Sequence, residues 1–251
     1  MFIDFLTTSG WIYLGLAACS IFSRLAFALT PRVTEAPWLD FFVSLFTWLP
    51  WLAGALMAGW MGVLAAVVAQ FFFLHTFCIC HRALHRKKGR TLTDAQAKLI
   101  GPLRNQLALL VTTPAVVVFL CVRIGELFLY PWLVLLARLP SYRHSEWVNL
   151  SRHRYQGLAG SDLLWCWYCD WMTGVWSLGG EMLRNVESFW CPIRFQSEAK
   201  NRNISVDFPD VHEWAPPDAT LDDAVRLFEK HYQPGKPNRW WGHPDRNDDP
   251  P

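Results

Sequence analysis

The stretch Phe41–Cys80 reads FFVSLFTWLPWLAGALMAGWMGVLAAVVAQFFFLHTFCIC and contains no Asp, Glu, Lys or Arg. As one helix it would be about 60 Å long, roughly twice the thickness of a bilayer's hydrocarbon core. The core of a soluble domain needs no uncharged run of this length, whereas lipid does. The stretch therefore predicts an all-α integral membrane protein with three or four membrane segments in residues 1–137.

Two arrangements of this stretch fit its sequence. In the first, residues 41–52 lie flat at the interface, where Phe and Trp are common, Pro50 breaks the helix, and residues 53–78 form one span. In the second, the run is a tight hairpin that turns near Gly54–Gly62. We favour the first arrangement, which places residues 30–52 outside and both the N-terminus and the following basic loop inside.

The apolar runs on either side add further segments. Residues 11–29 are long enough for one span. Residues 106–137 contain Arg123 and Glu126, which are three positions apart and would pair on one face of a helix. This run forms either a hairpin whose turn, Cys121–Glu126, reaches the headgroups or one long span. We favour the hairpin because it returns the chain to the cytoplasm before the next basic residues.

The charge distribution indicates an orientation. The net charge of +2 gives no argument for nucleic acid as a partner. Seven of the 23 Lys and Arg residues lie between Arg82 and Arg104, against one acid, Asp94. Cytoplasmic loops collect Lys and Arg, so the basic loop 81–105 is predicted on the cytoplasmic side of an inner (plasma) membrane. Residues 82–90 would contact anionic lipid headgroups there. Within this loop, Thr93 and Gln96 have capping-box spacing, and Gly101-Pro102 ends the helix.

The polar second half predicts a different environment. Residues 138–232 should form a cytoplasmic, mostly helical, Trp- and Cys-rich domain on the membrane surface. Its first part, Gly157–Trp190, has helical character, with Ser161 as a cap and Gly179-Gly180 between two helices. Thr220–Tyr232 is predicted as an amphipathic helix capped by Thr220.

A cysteine cluster is the first candidate for chemistry. Cys166 and Cys169 in WCWYCDW lie on one side of a helix, and Cys191 follows in WCPIRF. With His212, or alternatively His153, they would form a Cys₃His site for zinc or iron in a membrane-bound metalloprotein such as an oxidoreductase. A redox dithiol is a further alternative. We favour simple packing, with the thiols filling a Trp-rich helix at the membrane surface.

A histidine pair is the second candidate. The sequence HRALH, residues 81–85, resembles the first histidine box of membrane fatty-acid hydroxylases and desaturases over those five residues. The resemblance implies a di-iron, lipid-modifying enzyme that uses His81 and His85. Those enzymes also carry an H-x-x-H-H box, which this sequence lacks. The favoured interpretation is a basic face at the cytoplasmic headgroups.

A polar stripe is the third candidate. In GEMLRNVESFW, the side chains of Glu181, Arg184, Asn185 and Ser188 fall on one helical face. They would either line a cleft, with Glu181 and Arg184 as candidate catalytic groups, or form the solvated face of an amphipathic helix. No phosphate loop, GxSxG or HExxH motif occurs in the sequence.

The end of the chain carries the last signal. Residues 233–251 contain five prolines and are predicted as an extended tail. Two adjacent Trp residues, Trp240 and Trp241, are unusual in such a segment and indicate docking onto the chain's own domain, the membrane or a protein partner. The leading hypothesis is therefore a membrane accessory protein that presents a cytoplasmic docking domain.

Overall fold

The computed structural model describes residues 2–85, 91–152, 158–193, 197, 199, 214–240 and 243. The described residues form helices and turns, with two isolated β-bridges and no longer strand. Three helical stretches are long and apolar enough to cross a membrane, namely Ile3–Leu29, Leu49–Leu84 and Pro102–Ala137. These findings confirm the all-α class and three helices with the length and apolar composition that a membrane span requires.

The chain folds into two compact units, the first from residues 1–119 and 144–175 and the second from residues 120–143 and 176–251. In chain order the helices are α1 (Phe2–Leu29), α2 (Trp38–Phe46), α3 (Leu49–Leu84), α4 (Leu92–Ile100), α5 (Pro102–Thr112), α6 (Ala115–Ile124), α7 (Tyr130–Ala137), α8 (His144–Trp147), α9 (Ser161–Trp190) and α10 (Leu221–His231). A π-helical turn, Gly125–Leu129, joins α6 to α7.

Helix α3 is broken near its start. Ala58 and Gly59 have non-helical backbone angles, and Gly59 has a φ of 59° and a ψ of −144°. The short part before the break folds back on the long part. The contact that shows this is a hydrogen bond of 2.6 Å from the Nε1 of Trp51 to Gln70, which lies 19 residues further along the chain. The chain therefore adopts the hairpin that turns within Gly54–Gly62, and not the favoured uninterrupted span over residues 53–78.

The hairpin determines the direction of each segment in the first unit. Along α1, Tyr13 contacts Phe73 with ring centroids 6.1 Å apart, and Arg24 lies 5.6 Å from the ring centroid of Phe77. The residue numbers of the contacting pairs increase together in both helices, so α1 and residues 60–84 run in the same direction. Residues 38–57, which connect them in the sequence, run in the opposite direction. The N-terminus and the start of the basic loop consequently lie at opposite ends of these helices, unlike the prediction that both are inside.

The same unit holds the first helix of the basic loop. Helix α4 is capped by a box formed by Thr91 and Asp94, two residues before the predicted Thr93. The Thr91 hydrogen bond lowers the pKa of Asp94. Thr93 instead donates, with its backbone N–H, to the carboxylate of Asp162 at 3.1 Å. The helix ends before Gly101, which has a φ of 87°, as predicted, and Pro102 begins the next helix.

The third candidate span is helical through the region expected to turn. Cys121 to Ile124 belong to α6, and Gly125 and Glu126 lie in the π-helical turn. The favoured hairpin with its turn at Cys121–Glu126 is therefore not formed, and the long-span alternative fits instead. A π-helical turn inside an α-helix often marks a functional position.

The second unit is built around the end of α9. This helix continues through Gly179 and Gly180, which do not separate two helices as predicted. Helix α10 begins with the predicted cap, a box of Thr220 and Asp223. Its half-buried Phe228 and Leu227 pack with Phe189 against a core of three buried aromatic residues, Trp214, Tyr232 and Trp240.

Candidate functional site

The polar stripe of α9 faces the inside of the second unit. Glu181 is 6% exposed, and Asn185 and Ser188 are fully buried. The spacing of these residues follows the helical repeat, so the sequence correctly places them on one face. The structure adds that this face is covered by protein, which excludes the solvated-face alternative for these three side chains.

The Glu181 carboxylate is the centre of the site. It accepts hydrogen bonds from the indole Nε1 of Trp240, from the Tyr142 hydroxyl at 3.3 Å and from Arg184 Nη1 at 2.9 Å. The His243 Nε2 lies 3.8 Å from the same carboxylate. The Arg184 guanidinium also lies 5.6 Å from the centroid of the Trp240 ring. The acid and the bases of the cluster thus engage one another.

Asn185 extends the network towards two tyrosines. Its Nδ2 donates to the Tyr142 hydroxyl at 2.6 Å and approaches the Tyr130 hydroxyl at 3.4 Å. Its Oδ1 accepts the backbone N–H of Trp240 at 3.0 Å. Burial raises the pKa of Tyr142, so its phenol keeps the proton that it donates to Glu181. No local sequence signal identifies Tyr130 or Tyr142 as members of the site, because both come from outside α9.

The tail is fastened to this unit at a second place. Asn238 donates from its side chain to the carbonyl of Ala137 at 2.7 Å and from its backbone to that of Arg138 at 2.8 Å. These carbonyls lie at the end of α7, where Arg138 adopts a left-handed conformation with a φ of 53°. Tail residues therefore cap a helix as well as fill the core. Trp241 lies outside the described residues.

A buried ion pair lies beside α9. Arg123 and Glu126 pair at 2.5 Å with side chains 4% and 2% exposed, as their spacing predicts. Helix α9 passes closely at Gly179, where an added Cβ would lie 2.9 Å from Val122 and 3.1 Å from the Glu126 carboxylate. Buried ionisable residues inside candidate spans are costly unless paired. Because Gly179 has no side chain, α9 can pack directly against the ion pair.

The predicted metal ligands are not brought together by the described residues. Cys166 and Cys169 are half-buried in the first unit, whereas Cys191 is exposed and belongs to the second. The two histidine candidates, His153 and His212, lie outside the described residues. Within the described ranges no group of three or more His, Cys, Asp or Glu side chains is placed to hold a metal ion.

The cysteine pair instead borders a buried carboxylate. Asp170, which is 6% exposed, accepts the backbone N–H groups of Ser151 and Arg152, both at 2.7 Å. The Arg152 side chain donates to the sulfur of Cys169 at 3.3 Å. Burial raises the pKa of the Cys166 thiol, which disfavours the reactive thiolate. These contacts join α9 to residues 151–152.

The histidine pair is also engaged in packing. The rings of His81 and His85 stack with centroids 4.1 Å apart, and His81 is 7% exposed. The Nδ1 of His81 accepts the backbone N–H of Gly160 at 3.2 Å. An added Cβ at Gly160 would lie 2.9 Å from the carbonyl oxygen of Cys78, so α9 begins in close contact with α3. Residues 86–90 of the basic segment lie outside the described residues.

No protein family, curated protein or solved structure matches this chain in comparisons with all three.

Proposed function

We propose that this chain is an integral membrane accessory protein that binds a protein partner through its C-terminal segment. The observation that carries the proposal is the engagement of the Glu181 carboxylate by Trp240, Tyr142 and Arg184. A carboxylate that accepts three internal donors holds a structure together and has little capacity left for substrate. The candidate catalytic groups thus serve to position the segment 214–240.

The positioned segment offers a surface for a partner. On α10, Leu221 is 76% exposed and Val225 is 45% exposed, one helical turn apart. Ala224, between them in the sequence, is buried, so only part of this surface of the helix is exposed. Two exposed aliphatic side chains on a helix of otherwise polar outer positions are the type of contact that a protein partner covers.

The proposed location is an inner (plasma) membrane, with the basic loop 81–105 on the cytoplasmic side. Three candidate spans support membrane insertion. The cluster of Lys and Arg residues between Arg82 and Arg104 supports a cytoplasmic basic loop, with anionic lipid at residues 82–90. The metalloprotein and lipid-enzyme alternatives have no comparable support among the described residues.

The test is co-purification of the full-length, tagged chain from its native membranes after chemical crosslinking. Leu221→Asp combined with Val225→Asp should lower the yield of the crosslinked partner at least tenfold, while Glu229→Gln on the same helix leaves it unchanged. Equal protection of the tail from protease in all variants would show that the fold is intact. A wild-type protein without a stoichiometric partner, or a partner retained by the double variant, contradicts the proposal.

Point variants are needed because truncation is ambiguous. Deleting residues 233–251 removes Trp240 and Asn238, which fill the core of the second unit and cap α7. A partner lost on truncation would therefore not distinguish a removed binding surface from a disrupted fold. Leu221 and Val225 are exposed, so their replacement leaves the network around Glu181 in place.

A further inference from the structure

The end of α9 exposes a stripe of large apolar side chains that a helix of a water-soluble protein would bury. Trp176, Leu183 and Trp190 are 62%, 60% and 54% exposed. They are spaced by seven residues, so they form one stripe about 21 Å long on the outer face. On the inner face, Glu181 and Asn185 are buried. Leu178 and Met182 are buried beside them, so the unusual feature is the exposed apolar stripe, because the outer face of a water-soluble helix is usually polar.

The part of the third candidate span that belongs to the second unit has the same arrangement. It exposes Phe128, Trp132 and Leu135, each by more than 60%, while Arg123 and Glu126 of that span are buried as a pair. A helical segment that encloses its ion pair and exposes these three large apolar side chains is adapted to lipid, where unpaired charges are costly and apolar surface is not.

We propose that the outer stripe of α9, formed by Trp176, Leu183 and Trp190, binds phospholipid at the headgroup level of the bilayer. Trp side chains prefer this level because their rings are apolar and their N–H groups reach polar headgroups. A helix in this position inserts its apolar face about 5–10 Å below the headgroups. The inference goes beyond the proposed function, which assigns the protein partner to α10.

The shape of the stripe favours lipid over a second protein chain. At Gly180, between Trp176 and Leu183, an added Cβ would meet no atom within 4 Å, so the surface there is open and shallow. Glu187, near the end of the stripe, is half-buried, and this placement suits an interface better than the apolar interior of a bilayer. Lipid acyl chains are mobile, so they cover this open surface without the fixed complementary shape that a protein partner would need.

Photocrosslinking of the full chain tests this inference. Leu183 is replaced by benzoylphenylalanine, and the purified protein is irradiated in vesicles of phosphatidylethanolamine and phosphatidylglycerol. Intact-mass analysis should show an adduct of one phospholipid, with at least fivefold higher yield than from the same group at Asp222, an exposed position on α10. The same replacement at Gly180, where space is open, should also give the lipid adduct.

The outcomes separate the occupants. A phospholipid adduct at both α9 positions supports the inference. A crosslinked dimer, equal lipid yield at Asp222, or no adduct at either α9 position overturns it. A monodisperse elution profile that matches the parent protein shows for each variant that the yield reports on a folded chain. The partner co-purification above is unaffected by any of these results, so the two proposals fail separately.

Discussion

Replacement of glycine by alanine tests the hairpin of α3, because the sign of the effect depends on the fold. In an uninterrupted helix, Gly→Ala stabilises by about 0.5–1 kcal/mol. In the hairpin, an added Cβ at Gly62 would lie 2.5 Å from the carbonyl carbon of Gly54 and even closer to its oxygen. At Gly54 the added Cβ would lie 2.7 Å from the carbonyl carbon of Gly62.

These contacts determine the expected magnitude. Carbon atoms in ordinary contact are about 3.5–4.0 Å apart, so the two backbones would have to separate by roughly 1 Å. The neighbouring atoms are backbone carbonyl groups, which cannot rotate away as a flexible side chain would. Overpacking of this kind costs about 1–3 kcal/mol. Gly54→Ala and Gly62→Ala should each destabilise the protein by this amount.

Gly59 provides an independent test of the same bend. Its added Cβ would meet no atom within 4 Å, so only the backbone conformation opposes a side chain there. The φ of 59° and ψ of −144° are unfavourable for residues other than glycine, and Gly59→Ala should cost about 1–3 kcal/mol. Gly10 in α1 is the matched control, since its position is helical and open.

The assay is thermal unfolding of the detergent-purified protein in a single buffer. For a chain of this size, 1 kcal/mol shifts the midpoint by about 2–4 °C. The variants at Gly54, Gly59 and Gly62 should each lose several degrees, whereas Gly10→Ala should be unchanged or slightly more stable. An unchanged or raised midpoint for both Gly54→Ala and Gly62→Ala would refute the hairpin and restore the straight span.

Three further predictions concern orientation, the site and pH. Because α1 and residues 60–84 run in the same direction, topology reporters at the N-terminus and in the basic loop should label opposite sides of the membrane; labelling of one side by both contradicts the arrangement. Glu181→Gln should lower the unfolding midpoint by several degrees and expose the tail to protease, because hydrogen bonds to a charged group are worth about 1.5–3 kcal/mol; an unchanged midpoint would show that the charge is dispensable. Tyr168→Phe should be neutral or stabilising by up to about 1 kcal/mol, because no hydrogen-bond partner of the buried Tyr168 hydroxyl occurs in the part of the chain that the structure describes. Burial raises the pKa of Tyr168 to about 12, above the unfolded value of about 10, so the phenol ionises first in the unfolded chain and the folded state loses stability as the pH rises from about 10 towards 12. The advantage of Tyr168→Phe over the parent should therefore grow between pH 9 and pH 11, and a constant difference in midpoint would count against the burial of this group.

Local patterns predict the features that depend on neighbouring residues. The apolar runs, the cap at Thr220 and the Arg123–Glu126 pair all follow from spacing within one helix. The inner face shared by Glu181 and Asn185 follows from the same helical repeat. For such features the sequence contains the determining partner within a few residues, and the structure agrees with it.

The remaining features depend on partners far along the chain. The Gly-rich pattern around Gly59 fits a helix-packing face as well as a turn, and only the contact between Gly54 and Gly62 distinguishes them. Similarly, both Thr91 and Thr93 have cap-like spacing, but Asp162 binds the backbone N–H of Thr93 and leaves the cap to Thr91. Spacing in the sequence contains no information about such long-range partners.

Two of the polar residues that the sequence marks as candidates for chemistry, His81 and Glu181, join segments that are distant in the chain. His81 binds Gly160 across 79 residues, and Glu181 binds Trp240 across 59. Lipid supplies no hydrophobic driving force between helices, so hydrogen bonds and close packing must select which segments meet. A membrane protein with few buried polar groups therefore uses them where specificity of folding is needed. For this reason residues of catalytic type lie close together in both units, where their donors and acceptors form hydrogen bonds within the protein.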